Sequence, residues 1–209
     1  MSSKRRVVVT GLGIVSPLGN DLDTTWKNIL NGESGAARIT KFDASDFSTT
    51  FAAELKGYDD ISGLTQKETR RIDPFVQYAL TASDQAITDA NLALENLDTK
   101  RIGVSIGSGI GGLGSIEDNS IILKEKGPKK ISPFFVPGAI INMASGNVAI
   151  KYNLQGPNIS IVSACSSAGH SIGYSARTIS YGDADIMITG GSEAGITPLG
   201  LSLTHISEP

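Results

Sequence analysis

The chain has 209 residues, of which 40% are hydrophobic and 19% charged, with a net charge of −3. That is enough apolar content for one large domain with a substantial core, and it leaves no global basic field for nucleic acid. No apolar run reaches the length of a membrane span, and the single cysteine, Cys165, excludes an internal disulfide and agrees with a reducing compartment.

Lys4-Arg5-Arg6 followed by Val7-Val8-Val9 has the opening of a signal peptide. Gly11, Gly13, Ser16 and Pro17 interrupt the apolar run, and no small-x-small cleavage site follows. Val7 to Thr10 is therefore read as a first β-strand, and the protein as cytoplasmic. Asp21 to Leu30 reads as a short helix with Asn20 or Asp21 as its cap. Ile39 to Asp60 has no clear period and is expected to be loop, with an edge strand around Phe51 to Leu55. Thr65-x-x-Glu68 has capping-box spacing. Asp73-Pro74 then begins a stronger helix, with an N-cap and a proline at the first position. Phe75, Tyr78, Ala79, Ala82, Ala86, Ile87 and Ala90 give it an apolar stripe, and Asn91 a stop.

Ile102 to Ile106 reads as a strand closed by the glycine-rich Gly107 to Gly114. Ile116 to Lys126 follows as a helix. Ser132 to Pro137 is an aromatic loop, and Pro137 opens another helix with Ile140, Ile141, Ala144, Val148 and Tyr152 on one face. The β-branched run Ile159 to Val162 reads as a buried strand, extending to Ser163. It stops in small residues, and a helix carrying Ala168, Ile172, Ala176 and Ile179 follows, ending at Tyr181-Gly182. Asp185 to Thr189 is the next strand. Strands alternating with helices imply a largely parallel sheet covered by helices, in one domain.

Cys165 falls on the strand-to-helix turn, where unpaired amides and the helix dipole favour a thiolate. By spacing alone, an inert buried cysteine and a nucleophile are equally good readings. His170, five residues on, does not share a helix face with Cys165 and reads as a packed or hydrogen-bonded histidine. The other histidine is His205, and no metal-ligand spacing exists. Gly107-x-Gly109-x-x-Gly112 matches a dinucleotide-binding pattern. No acid ends a strand about 20 residues further on, so the match is weak. Lys67, Arg70 and Arg71 form one basic cluster, and Lys129-Lys130 a second. Each is either a solvated face or a docking site for an acidic partner.

The segment Gly156 to Ile172 resembles the active-site signature of the β-ketoacyl synthases. Val7-Val8-Val9-Thr10-Gly11-Leu12-Gly13, Gly107 to Gly112, Ile131-Ser132-Pro133-Phe134-Phe135-Val136-Pro137 and Gly182-Asp183-Ala184-Asp185 fit the same family in the same order. The resemblance implies an α/β, thiolase-like fold, of which residues 1–200 would be the N-terminal half of a duplicated layered α/β/α architecture. It also implies fatty acyl elongation by decarboxylative Claisen condensation. Cys165 would hold the acyl group, and malonyl-acyl carrier protein would supply the attacking carbanion. The Cys165 N–H would be one oxyanion donor. Ile110 and Phe135 would border the acyl pocket, Phe135 partly across a homodimer interface. Lys67, Arg70, Arg71, Lys129 and Lys130 would face acyl carrier protein. No metal or organic cofactor is implied, because phosphopantetheine arrives with the substrate.

Two departures accompany the resemblance. The family is about twice this length, and its two catalytic histidines, a supporting lysine and a second oxyanion donor lie in the second half. Residues 201–209 do not fit the family, so a truncated or wrongly joined frame is expected, with the chain alone inactive in condensation. A polyketide ketosynthase and a non-catalytic pairing subunit resembling chain-length factors are the alternatives.

Overall fold

A computed structural model describes residues 5–58 and 64–202. The strand expected at 102–106 is β3 (Ile102–Gly107), and all six of its residues are buried. An uninterrupted buried run is what a parallel strand covered on both faces requires. β5 (Ile186–Gly191) pairs with it in parallel along its whole length, from Ile102 opposite Ile186 to Gly107 opposite Gly191. On the other side β4 (Asn158–Ile159) pairs in parallel at Val104 and Ser105. The sheet order is β4-β3-β5.

One face of this sheet packs on α3 (Pro74–Asp89) and α6 (Met143–Tyr152), through a core that includes Phe75, Val76, Val104, Ala144 and Val148. Asp73 starts α3 as expected, accepting from the Phe75 N–H, while its second oxygen accepts from the Ser115 N–H and hydroxyl. It thereby ties α3 to α4 (Leu113–Lys126). Asn91 adopts positive φ just beyond α3. The capping box is complete on α2 (Gln66–Thr69). Asp21 caps α1 (Leu22–Leu30), and β1 (Ala37–Arg38) pairs antiparallel with β2 (Phe51–Ala52).

The other face of the sheet packs on α7 (Ser167–Tyr181). Its sheet-facing stripe is Ser167, Ser171, Ser175 and Thr178. The aliphatic stripe visible in the sequence lies one position round, and Ile172 is 49% exposed. Close approach explains the choice of small side chains. A Cβ on Gly107 would lie 2.7 Å from both Ile161 O and Ser167 O, and one on Gly191 would lie 2.6 Å from Ala168 Cβ. Gly182 ends α7 in the left-handed region.

Three expectations are corrected. Val7 to Thr10 makes no ladder among the described residues, and Val8 and Val9 are 58% and 75% exposed. The next turn of this segment instead lies along α3: the N–H groups of Leu12 and Ile14 donate to the Asp89 and Gln85 side chains. The helix expected from Pro137 is two pieces, α5 (Phe135–Ala139) and α6, because Ile140 is extended between them. The strand expected over 159–163 pairs only at Asn158 and Ile159. It is the sheet edge, and Val162 is exposed rather than buried. α8 (Pro198–Ser202) closes the described chain. His205 and most of the 201–209 tail lie outside the described residues.

Arg5 is held at the start of β5 by Asp185, whose carboxylate takes 2.6 Å from Arg5 Nη1 and 3.0 Å from each of Arg101 Nε and Nη2. Bonds from the two guanidinium groups, Arg101 first, pull the Asp185 carboxyl from 3.8 down to about 2. A depressed carboxyl contributes stability above its unfolded value and loses it as pH falls through the folded one. Wild type is therefore expected to lose melting temperature more steeply than Asp185→Asn between pH 3.8 and about 2. Equal slopes in a thermal melt series would contradict this.

Candidate active site

β4 releases the chain at Ile159, and residues 160–163 run on without a ladder. Ala164 then adopts φ +51°, and Ala164–Ser166 forms a single 3₁₀ turn leading into α7. A left-handed alanine costs about 1 kcal/mol, which the surroundings must impose. They do so through Ser167, which is buried. Its hydroxyl accepts from the Ser163 N–H at 2.9 Å and lies 2.7 Å from Ala164 O and 3.3 Å from Ser108 O, to which it donates. The turn is thus closed on itself and fastened to the end of β3.

Cys165 sits on this turn, free and exposed. Among the described residues its backbone N–H makes no hydrogen bond. A thiol and an unspent amide are therefore presented together, at the start of a fifteen-residue helix. His170 is one turn into that helix, with Nδ1 2.6 Å from Ser163 Oγ. It is the hydrogen-bonded helix histidine expected from its spacing, and it braces the residue two before the cysteine.

The glycine loop lies against the same turn. A Cβ on Gly109 would be 3.7 Å from Ala164 Cα. The dinucleotide reading fails here on chemistry, because the loop already holds an anion. Glu193 Oε2 accepts from the Gly109 N–H at 2.5 Å and the Ile110 N–H at 3.2 Å, and Oε1 from the Gly111 N–H at 3.2 Å. Sequence reading missed Glu193. The available signal was an acid two residues past Gly191, at the second of two strands ending in glycine.

Of the residues singled out in the sequence, Ile110 is exposed and follows Gly109, the loop residue that lies against the Cys165 turn. Phe135 lies elsewhere, half-buried, in a cleft of about 280 Å³ that also takes in Arg70, Arg71, Asp73, Ser115 and Phe134. Arg71 stacks its guanidinium 4.5 Å over the Phe134 ring. Lys67, on α2, and Lys129 and Lys130, on a 3₁₀ turn leading into the aromatic loop, are exposed and do not line that cleft. Among the described residues no group of three or more His, Cys, Asp or Glu is placed to hold a metal. No described helix is long and apolar enough to cross a membrane.

A parallel sheet delivering an exposed thiol to a strand-to-helix turn defines an α/β domain that presents a free cysteine at its surface. The chain belongs to the β-ketoacyl synthase family: the family's N-terminal domain matches residues 4–205. It is 54% identical over 198 residues to the 3-oxoacyl-[acyl-carrier-protein] synthase 2 of Coxiella burnetii, covering 95% of this chain and 48% of that protein. It is 50% identical over 200 residues to the Vibrio cholerae protein of the same name, covering 96% and 48%. The chain thus spans about half the length of these relatives. Among solved structures, the ishigamide ketosynthase/chain length factor superposes with a TM-score of 0.87 at 25% identity, covering 96% of this chain and 50% of that one. A type II PKS acyl-carrier protein in complex with its ketosynthase gives 0.83 at 26%, covering 96% and 54%. The fold is the thiolase-like α/β arrangement of the ketosynthases.

Proposed function

We propose that this chain carries the acyl-accepting half of a 3-oxoacyl-acyl carrier protein synthase of fatty acid elongation. The Cys165 thiolate attacks the carbonyl carbon of an acyl thioester on acyl carrier protein. The tetrahedral oxyanion is met by the Cys165 N–H, and collapse expels the carrier's phosphopantetheine thiolate, leaving the acyl group on sulfur. In the second step malonyl-acyl carrier protein loses carbon dioxide. The resulting carbanion attacks the acyl-enzyme and expels the Cys165 thiolate, and the product is a 3-oxoacyl chain two carbons longer. The observation that carries this reading is the exposed thiol beside an unspent amide on a turn closed by Ser167.

The same reading assigns Ile110 to the acyl pocket, Phe135 partly to the pocket of a partner subunit across a homodimer interface, and the five basic residues to the acidic carrier. The exposed Lys67, Arg70, Lys129 and Lys130 suit such a surface. It takes the intact protein as a cytoplasmic homodimer with residues 1–200 as one domain; the family match runs on to residue 205, into the expected 201–209 tail. A polyketide ketosynthase is the second reading, favoured by the likeness to the ketosynthase structures at 25–26% identity. The 50–54% identity to synthase 2 proteins supports the first. Cys165 itself argues against a non-catalytic pairing subunit.

The two steps separate experimentally. Incubated with acyl-loaded carrier protein, the chain is expected to gain the acyl mass. With malonyl-loaded carrier added, it is expected to release no 3-oxoacyl product, because His170 is engaged with Ser163 and the family resemblance assigns no catalytic histidine to these residues. No acyl uptake would contradict the first assignment, and product release the second.

A further inference from the structure

The loop that carries Ile110 cannot hold its own shape. Gly109, Gly111 and Gly112 give it maximal backbone freedom, and Gly111 stands at φ +82°. Ile110 is 46% exposed, so packing does not fix it either. The loop's far end is fastened by the Gly112 N–H to Ala139 O at 2.9 Å, and the residues around Ile110 are fixed by Glu193. Three successive amides converge on this one carboxylate, an arrangement that elsewhere receives a bound anion. The clamped loop then touches the nucleophile turn twice. Gly109 lies against Ala164, and Ser108, whose hydroxyl also accepts from the Gly111 N–H, offers its carbonyl to Ser167.

We infer that Glu193 is a positioning residue: it pins the Ile110 loop against the Cys165 turn and thereby sets which acyl chain lengths are transferred to the cysteine. The inference rests on the acyl-transfer reading above. Glu193 reaches the loop because β3 and β5 end in register, Gly107 opposite Gly191, so the segments that leave them meet. Without the carboxylate, the Gly112 end stays fastened to Ala139 O and Gly111 to the Ser108 hydroxyl, but the Gly109 and Ile110 amides lose their acceptor, and Ile110 samples positions along the path of the acyl chain.

The test compares acyl transfer to Cys165 from carrier proteins loaded with short and long chains, in wild type, Glu193→Gln and Glu193→Ala. Glu193→Gln is isosteric, keeps one acceptor oxygen and serves if the alanine variant does not fold. Glu193→Ala is expected to change the long-to-short ratio of kcat/KM by about tenfold, below the ~10²-fold that a 1 Å misplacement of the reacting groups themselves costs. Glu193→Gln should fall between it and wild type. Ile110→Ala should shift the ratio less in the Glu193→Ala background than in wild type, because both act on one loop. Amide exchange at Gly109 to Gly111 should accelerate in Glu193→Ala. Equal loss at every chain length, or additive effects of the two substitutions, would overturn the inference while leaving acyl transfer intact. No acyl uptake by wild type would instead defeat the acyl-transfer reading, and this inference with it.

Discussion

Cys165→Ser is expected to lower acyl transfer from acyl carrier protein by about 10⁴-fold or more, the scale on which nucleophile removal acts in covalent catalysis. The serine oxygen can occupy nearly the same place. It would stand on the same turn, beside the same free amide, so thioester approach and oxyanion binding should survive. What is lost is nucleophilicity. A thiol yields some thiolate at neutral pH and is intrinsically strong, whereas an unassisted hydroxyl is neither. Nothing among the described hydrogen bonds activates a hydroxyl at position 165, since His170 is committed to Ser163. The variant should therefore bind acyl carrier protein as wild type does and fail in the chemical step. A KM increase with kcat unchanged, measured by single-turnover transfer, would place Cys165 in binding rather than in bond formation.

Gly107→Ala is expected to cost about 3 kcal/mol, the upper part of the range for overpacking a closed site. The added carbon would meet backbone on both sides, Ile161 O and Ser167 O each at 2.7 Å, and Ser171 Oγ at 2.8 Å. The Ser171 hydroxyl can turn aside, but the two carbonyls belong to the backbone, so β4's continuation or the start of α7 must move. Because Ser167 closes the cysteine turn, the same substitution should also slow acyl transfer. Gly173→Ala is the matched control. It lies in α7 with nothing within 4 Å of an added Cβ, and it should stabilise by about 0.5–1 kcal/mol through helix propensity. Urea unfolding of the two variants should move the midpoint in opposite directions. A neutral Gly107→Ala would show that α7 is not seated on the sheet as described.

Elements with local signals were legible in the sequence. The cap and proline at Asp73-Pro74, the stop at Asn91 and the capping box at Thr65 each depend on neighbours within one turn, and all three formed. The β-branched strand at 102–106 formed because it is buried on both faces whatever lies beside it. Val7 to Thr10 has the composition of a strand, but a strand exists only with a partner, and the described residues give it none. The α7 helix was located correctly, but its inward face was not evident. Hydroxyl side chains win the sheet side there because Gly107 and Gly191 bring the backbones too close for isoleucine. The cysteine turn was legible from small residues after a β-branched run. Glu193 was not, because its meeting with residues 109–111 depends on the β3–β5 register, which no local pattern encodes.

The most direct measurement locates the acyl group. The chain is incubated with acyl-loaded carrier protein, digested, and mapped by tandem mass spectrometry before and after neutral hydroxylamine, which cleaves thioesters. The expected result is one hydroxylamine-labile acyl adduct on the peptide containing Cys165, absent in Cys165→Ser. An adduct on any other residue, or one that persists in Cys165→Ser, would contradict the assignment of Cys165 as the acyl acceptor.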